Sequence, residues 1–385
     1  MTGMLQGETV IYFGPEPWDG LWRNRHQLMS RFAGHNDVWY VEPAINLRRL
    51  FSGRTDRGSR LFSRDASGVS VFHSPWWLPI TGRAPFKNIS IRLFLAALSL
   101  VAHTGPNRRP IVWLSRPDMV DYVAHLHAKL TIYHVVDEYS GYGHPSARPR
   151  SKPKSREDEM LRKTDAVIVV TSTLFDLKSP HNPNTHLVPN AVDYDSYADC
   201  DPQTPDDMSD IRRPIIGYSG LIAARLDLDL LQTAAKSRPD WNFVFVGTVN
   251  DEHCEAELRQ LRELSNVHFL GQKPVDDVPR YVHQFDVCVI PYVLNLRAQH
   301  ASPLKLYEYA AASKPIVTTD FAAARSFQGH IEIAQDKDAF LSACERSLAL
   351  DSSAPEILEN RRFAEENTWE HRVQQISELL RNSDS

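Results

Sequence analysis

The stretch from Ser302 to Thr319, SPLKLYEYAAASKPIVTT, brings together residues suited to one kind of chemistry. Ser302 is a preferred N-cap and Pro303 suits a first helical turn, so a helix is expected to start here. A helix start exposes unpaired N–H groups and a partial positive charge, which together seat a phosphate. Lys305 would add a full charge in the first turn. Glu308 follows three residues later on nearly the same face. A carboxylate placed there can accept two hydrogen bonds from a cis-diol of the kind a ribose offers. Phosphate at the helix start and diol at the acid would make a nucleotide-sugar seat. On spacing alone, a plain buried helix with a Lys–Glu surface pair is the simpler account.

The surrounding sequence supplies elements able to hold such a seat. The runs 10–14, 38–42, 69–73, 111–115, 130–136 and 166–171 are short, apolar and β-branched, with amphipathic stretches between them. That alternation predicts an α/β domain with a parallel sheet covered on both faces. Residues 198–214 then break the rhythm with an acidic, Pro-rich segment. The rhythm restarts at 214–220 and continues through 242–247, 267–271, 287–292, 315–319 and 331–334. The polar segment 295–301 reads as a loop leading into the Ser302 helix. The expected organisation is an N-terminal domain over 1–190, a linker and hinge over 191–213, and a second domain over 214–365. A last helix over 366–385 is expected to return to the first domain, with an apolar stripe at Trp369, Val373, Ile376, Leu379 and Leu380. Two such sheets are expected to direct their ligand crevices toward a shared cleft.

Composition is that of a globular protein, 42% hydrophobic and 24% charged, with a formal charge of −5. Residues 1–150 carry 18 Lys+Arg against 11 Asp+Glu, whereas the remainder carries 25 against 37. The basic half suits an anionic partner or a solvated surface bias. The four cysteines form no CxxC and no Cys/His cluster, so free thiols in a reducing compartment are expected. The start has no basic leader, and the apolar run 91–102 is too short to span a bilayer, so a cytoplasmic protein is expected. No P-loop and no complete GxGxxG occurs, which argues against an NTPase or a dehydrogenase. No nucleic-acid recognition motif accompanies the basic half.

Several segments together resemble one family. HASPLKLYEYAAASKPIVTT is similar to the donor-site signature of the retaining GT-B glycosyltransferases of family 4. Residues 164–197, the IIGYSGLIAARLDLDLL segment, NVHFLGQKPVDDVPRYVHQFDVCVIPY and the closing TWEHRVQQISELL resemble further family segments in the same order. The resemblance covers about 164–380 well and the first half more loosely. It implies a GT-B fold of two Rossmann-like domains, a nucleoside diphosphate sugar as donor, and retention without a metal or other cofactor. It implies that Glu308 holds the donor ribose, while His300 stands where the family has a Glu toward the transferred sugar. Backbone groups near Ala301, Ser302 and Leu304 would face the pyrophosphate or sugar. The family's two cations after the strand-loop glycine align with Leu221 and Leu226, so Arg225 or Arg297 is expected to replace them. Ser219 and Gly220 belong to the loop contacting phosphate, and Gly271 with Gln272 to the loop against the base.

On the acceptor side, the first loop is expected to lie over the donor, with Gly20 allowing close approach. Arg23, Arg25 or His26 would then reach a phosphate or the acceptor. Asp137 is the expected acceptor-orienting carboxylate, with a cap of the following segment as the plainer account. His134 reads as a satisfied core histidine. The segments 45–64 and 76–102 mix Arg and Lys with Trp, Phe, Leu and Ile, a pattern suited to peripheral contact with an anionic inner leaflet. There the enzyme would meet a glycan or polyprenyl-linked acceptor, although 89–102 reads more simply as a core helix. Two other classes share the form: a nucleotide-sugar epimerase and a non-catalytic nucleotide-sugar binder.

Overall fold

The computed structural model describes residues 4–44, 60–75, 78, 80, 86–138, 152–201 and 203–382, with only the backbone described at 152–154, 296, 297 and 382. The chain forms two compact α/β units. Unit 1 comprises Met1–Pro189 and Trp369–Ser385, and unit 2 comprises Asn190–Thr368.

Unit 1 contains β1 (Thr9–Phe13), β2 (Asp37–Val41), β3 (Phe62–Arg64), β4 (Ser70–Phe72), β5 (Ile111–Leu114), β6 (Leu130–Val135), β7 (Ala166–Val169) and β8 (Thr185–Leu187). They pair in the order β3-β4-β2-β1-β5-β6-β7-β8. All neighbours are parallel except β3 against β4. Strands β1, β4, β5, β6 and β7 are buried along their whole length, as expected where helices cover both faces. The helices that matter here are α1 (Asn24–Ala33), α2 (Phe86–Val101) and α3 (Lys152–Lys163).

Unit 2 contains β9 (Ile215–Ser219), β10 (Asn242–Val246), β11 (Val267–Gly271), β12 (Val287–Ile290), β13 (Ile316–Thr319) and β14 (Glu332–Ala334). Their order is β11-β10-β9-β12-β13-β14, with every neighbour parallel. Helix α4 (Leu228–Ser237) follows β9, and α5 (Leu296–His300) and α6 (Lys305–Ala311) follow β12. In each sheet the strand order reverses once, beside β1 and β5 in unit 1 and beside β9 and β12 in unit 2.

The segment 191–213, expected as a linker, folds into unit 2 instead. Val192, Tyr197 and Met208 are buried in the core of that unit, so this Pro-rich stretch is anchored by three apolar side chains. Val192 also bridges to Thr368, pairing the two ends of unit 2. The boundary near 365 accordingly falls after Thr368. The last helix, α7 (Trp369–Asn382), belongs to unit 1 and buries Trp369, Val373, Ile376 and Leu380. Its first turn is held to α1 by Arg31, whose Nε lies 2.5 Å from Glu370 Oε1.

Candidate functional site

The residues after β9 and β12 converge at the point where the unit 2 sheet reverses, the usual ligand position in an open α/β sheet. Gly220 follows β9 with φ of +129°. A side chain there would be strained, and its Cβ would meet the Lys305 Nζ at 2.5 Å. Gly247 follows β10 with φ of +142°, and a Cβ on it would overlap the Gly220 carbonyl. Two adjacent strand ends are thus reduced to bare backbone, and the Lys305 ammonium lies on the first of them.

Lys305 is only 9% exposed, so the surface Lys–Glu pair that its spacing allowed is not what forms. Its Nζ lies 5.1 Å from the centre of the Tyr218 ring. The Arg225 guanidinium lies over the neighbouring Tyr292 ring at 5.2 Å. Burial disfavours the Lys305 charge, but Tyr218, Tyr292 and Glu308 outweigh it against Arg225, and the pKa is raised. The ammonium therefore stays charged at neutral pH. Glu308, half-buried one turn on, has its carboxyl raised by burial, with Lys305 pulling it back down. Arg225 and Lys305 thus form one cationic cluster over the paired Tyr218 and Tyr292 rings.

The start of the helix differs from expectation. Ser302 is not its N-cap: α6 begins at Lys305 after Leu304, with no side-chain cap. The Ser302 carbonyl instead accepts from Asn190 Nδ2 at 2.8 Å, which fixes the approach to the helix. The polar segment before it is helical rather than a loop, because the Asn295 side chain caps α5 by accepting from Ala298 N–H at 3.0 Å. As a result the Ala301 N–H is engaged, donating to the Ala298 carbonyl, and does not face a ligand. A seven-residue helix is too short for its dipole to dominate, so the two cations carry the charge of the site. His300 ends α5 with a buried Nδ1 that has no partner among the described residues. The Arg297 side chain lies outside the described residues.

Other expected residues separate into two groups. Gln272 is exposed at the end of β11, its Oε1 accepting from Thr248 Oγ1 at 3.0 Å. Gly271, with φ of +73°, has open space on its Cβ side and so leaves backbone accessible there. Ser219 does not contribute a free hydroxyl: it is buried, and the Tyr309 oxygen accepts its N–H at 2.9 Å and lies 3.2 Å from its Oγ.

In unit 1, His26 is not a surface contact. It is fully buried, accepts the Arg23 N–H at Nδ1 (2.9 Å) and faces the Trp18 carbonyl with Nε2 (2.9 Å), which assigns the neutral Nε2–H tautomer. Burial, reinforced by Arg25, lowers its pKa to about 4. Arg25 is buried too, with Nη2 3.2 Å from Glu16 Oε2. Arg23 remains half-exposed, 3.7 Å from Glu16. Gly20 is exposed with ordinary backbone angles and room for a side chain, so nothing there requires glycine. Asp137 follows β6 and accepts the Glu138 N–H at 2.9 Å. Glu138 turns inward, where the buried Lys178 Nζ lies 2.7 Å from it and 3.0 Å from Glu157. His134 is buried as expected, with its pKa lowered to about 4 by burial, but its Nδ1 has no partner among the described residues. Most of 45–64 and 76–85 lies outside the described residues.

Residues 213–350, which hold this cluster, match the family model "Glycosyl transferases group 1". A protein of Bacillus subtilis strain 168, named as the teichuronic acid biosynthesis glycosyltransferase TuaH, is 27% identical over 234 residues. That match spans 58% of this chain and 58% of the relative's length. Among solved structures, sucrose-phosphate synthase from Thermosynechococcus elongatus superposes with a TM-score of 0.73 at 15% identity, covering 97% of this chain and 98% of that one. Anabaena Alr3699/HepE, solved in complex with UDP-glucose, gives 0.70 at 12% identity, covering 97% and 99%. The fold is therefore GT-B. Gly247 is the residue of the group 1 region that sequence reasoning missed, although the repeated strand-then-glycine pattern of β9, β10 and β11 marks it.

Proposed function

We propose that the protein is a glycosyltransferase that moves a sugar from a nucleoside diphosphate sugar to a glycan or lipid-linked saccharide, with retention and without metal. The observation that carries this reading is the Gly220–Lys305–Arg225 cluster at the reversal of the unit 2 sheet, inside the region matching group 1 glycosyl transferases. Bare backbone beside two cations suits a pyrophosphate. Glu308 would accept from the ribose diol, and His300 Nδ1, without a partner among the described residues, would meet a hydroxyl of the transferred sugar. That one neighbour of the same fold, Anabaena Alr3699/HepE, is solved holding UDP-glucose supports the same donor class.

In the proposed reaction the bond between the anomeric carbon and the diphosphate oxygen breaks while the acceptor oxygen bonds to the same face. The acceptor proton passes to the departing phosphate oxygen. Lys305 and Arg225 stabilise the negative charge that grows on the diphosphate, an effect of about 10²–10³ in rate for a single well-placed donor. Asp137 would orient the acceptor hydroxyl.

We place the enzyme at the inner face of a membrane. No helix among the described residues is long and apolar enough to cross one. Helix α2, expected as a core helix, is two-sided. Ile91, Phe94, Leu95 and Leu98 are buried, while Phe86, Ile89, Leu93 and Leu100 are exposed. It has basic but no acidic residues, which suits an anionic lipid surface.

The test is incubation with uridine, guanosine and deoxythymidine diphosphate sugars, with and without lipid-extracted acceptors. Acceptor-dependent release of diphosphate supports the reading. Donors altered at a sugar carbon without any acceptor would indicate an epimerase. Tight nucleotide binding with no turnover would indicate a binding protein.

A further inference from the structure

Tyr309 is a fully buried phenol on α6 whose oxygen meets the end of β9. Its place follows from how the unit 2 sheet opens. Strand β9 pairs with β12 only at Ile216 and Gly217, whereas its pairing with β10 runs on to Ser219. Successive N–H groups along a strand point to opposite neighbours. The Gly220 N–H donates to the Val246 carbonyl of β10 at 2.7 Å. The Ser219 N–H therefore points the other way, where β12 has already left the ladder. A buried N–H without an acceptor is costly. The Tyr309 oxygen accepts this one at 2.9 Å and lies 3.2 Å from the Ser219 Oγ. A side chain thus completes the ladder that the reversal of strand order leaves open.

The same helix carries Lys305 four residues earlier, and residues four apart share a helix face. Two consecutive residues of the strand end are each met by one of these side chains. Ser219 meets the Tyr309 oxygen, and Gly220 lies against the Lys305 ammonium, which a Cβ there would approach to 2.5 Å. Tyr218, one residue before, lies under the same ammonium. An ammonium on a flexible four-carbon stem does not fix its own place. The bond from Ser219 to Tyr309 is directional and buried at both ends, so it holds α6 at one height over the strand end.

We propose that Tyr309 is a positioning residue. It keeps the end of β9 against α6, so that the Lys305 ammonium stands over the bare backbone of Gly220. Tyr309 is 0% exposed and acts through Lys305 rather than on a ligand. Its bearing on transfer rests on the reading of Lys305 as the cation that meets the diphosphate.

The experiment compares the full chain with Tyr309→Phe, which removes only the oxygen. Leu258→Val is the control for lost stability, since Leu258 is buried on the helix Glu255–Arg262 beside β11. The first readout needs no ligand. With isotopically labelled lysine, the Lys305 ε-methylene signal is identified by its loss in Lys305→Ala. Its NMR position should be shifted by the Tyr218 ring, should move toward the ordinary lysine position in Tyr309→Phe, and should stay in Leu258→Val. In the wild type, the Ser219 amide should exchange with deuterium as slowly as that of Val244 inside the ladder. The second readout is diphosphate release at saturating donor. It should fall about tenfold in Tyr309→Phe, less than the hundredfold that a displacement of about 1 Å can cost. In a Lys305→Ala background the same substitution should change it by less than about twofold, because no ammonium remains to be placed. An unmoved Lys305 signal, an unprotected Ser219 amide, wild-type turnover in Tyr309→Phe, or an equal fall in the Lys305→Ala background would overturn the proposal. If the signal moves as expected while no nucleoside diphosphate sugar binds or turns over, the positioning stands and the donor reading fails.

Discussion

Both units open a crevice where their strand order reverses, yet they charge it in opposite ways. In unit 2 the cations converge on phenol rings: Lys305 over Tyr218 and Arg225 over Tyr292. In unit 1 each cation of the crevice is matched by a carboxylate, as in the bridge that Asp121 makes between Lys87 and Arg156. One layout of strands and helices therefore carries two charge patterns. Surplus positive charge favours a polyanion such as a diphosphate, whereas charges already paired with one another offer it little. The backbone sets where such a crevice opens, and the pairing of side chains sets its charge.

The sharpest way to break that contrast is to remove the surplus charge. Lys305→Ala should lower transfer by about 10²–10³ with the fold retained, measured as diphosphate release at saturating donor. Wild-type turnover in this variant would dissolve the donor assignment. Next in size is the close approach at Gly220. Gly220→Val would drive a side chain into the Lys305 ammonium and strain the backbone. Stabilisation by nucleoside diphosphates should then fall by about a hundredfold in apparent affinity, equal to about 2.7 kcal/mol. Full stabilisation would show that the ammonium is not at the ligand.

A third test concerns unit 1 and pH. His26 and His134 both titrate near 4 when folded, against 6.5 ordinarily. Between those values the unfolded chain binds more protons than the folded one. Stability is thus full above about pH 6.5 and falls as pH drops toward 4, by at most about 3 kcal/mol for each imidazole. Urea titrations across this range should show the fall, and His26→Gln should flatten it. An unchanged slope would mean that the imidazole is not held neutral. The smallest effects belong to single surface groups. Arg225→Ala should slow transfer about tenfold if it shares the diphosphate with Lys305. Leu93→Glu on α2 should weaken co-sedimentation with vesicles containing anionic phosphatidylglycerol by a few-fold. Equal sedimentation would count against α2 as the membrane face.

Much of the fold was legible because a parallel strand buried on both faces must be apolar along its length. VIYFG, IVWL and AVIVV say so directly, and each is a strand. What stayed hidden depends on single apolar anchors and local capping. Residues 198–214 look like a linker by composition, yet Met208 fastens that stretch to unit 2. Ser302 has the right chemistry for an N-cap, yet Asn190, far away in sequence, holds its carbonyl and the helix starts three residues later. At the site, the spacing of Lys305 and Glu308 was visible. The burial of Lys305 against Gly220 was not, since it depends on how two strand ends meet. The crevice of unit 1 left no motif either, because its rim is gathered from separate stretches of chain.

Unit 1 is discontinuous in sequence, with α7 supplying its last piece after the whole of unit 2. During synthesis, therefore, unit 2 can complete itself while unit 1 still waits for its final helix, even though most of unit 1 emerged first. Until then the groove destined for Trp369 and Ile376 stays open, a window in which the nascent chain is vulnerable to aggregation and a natural moment for a chaperone to hold it.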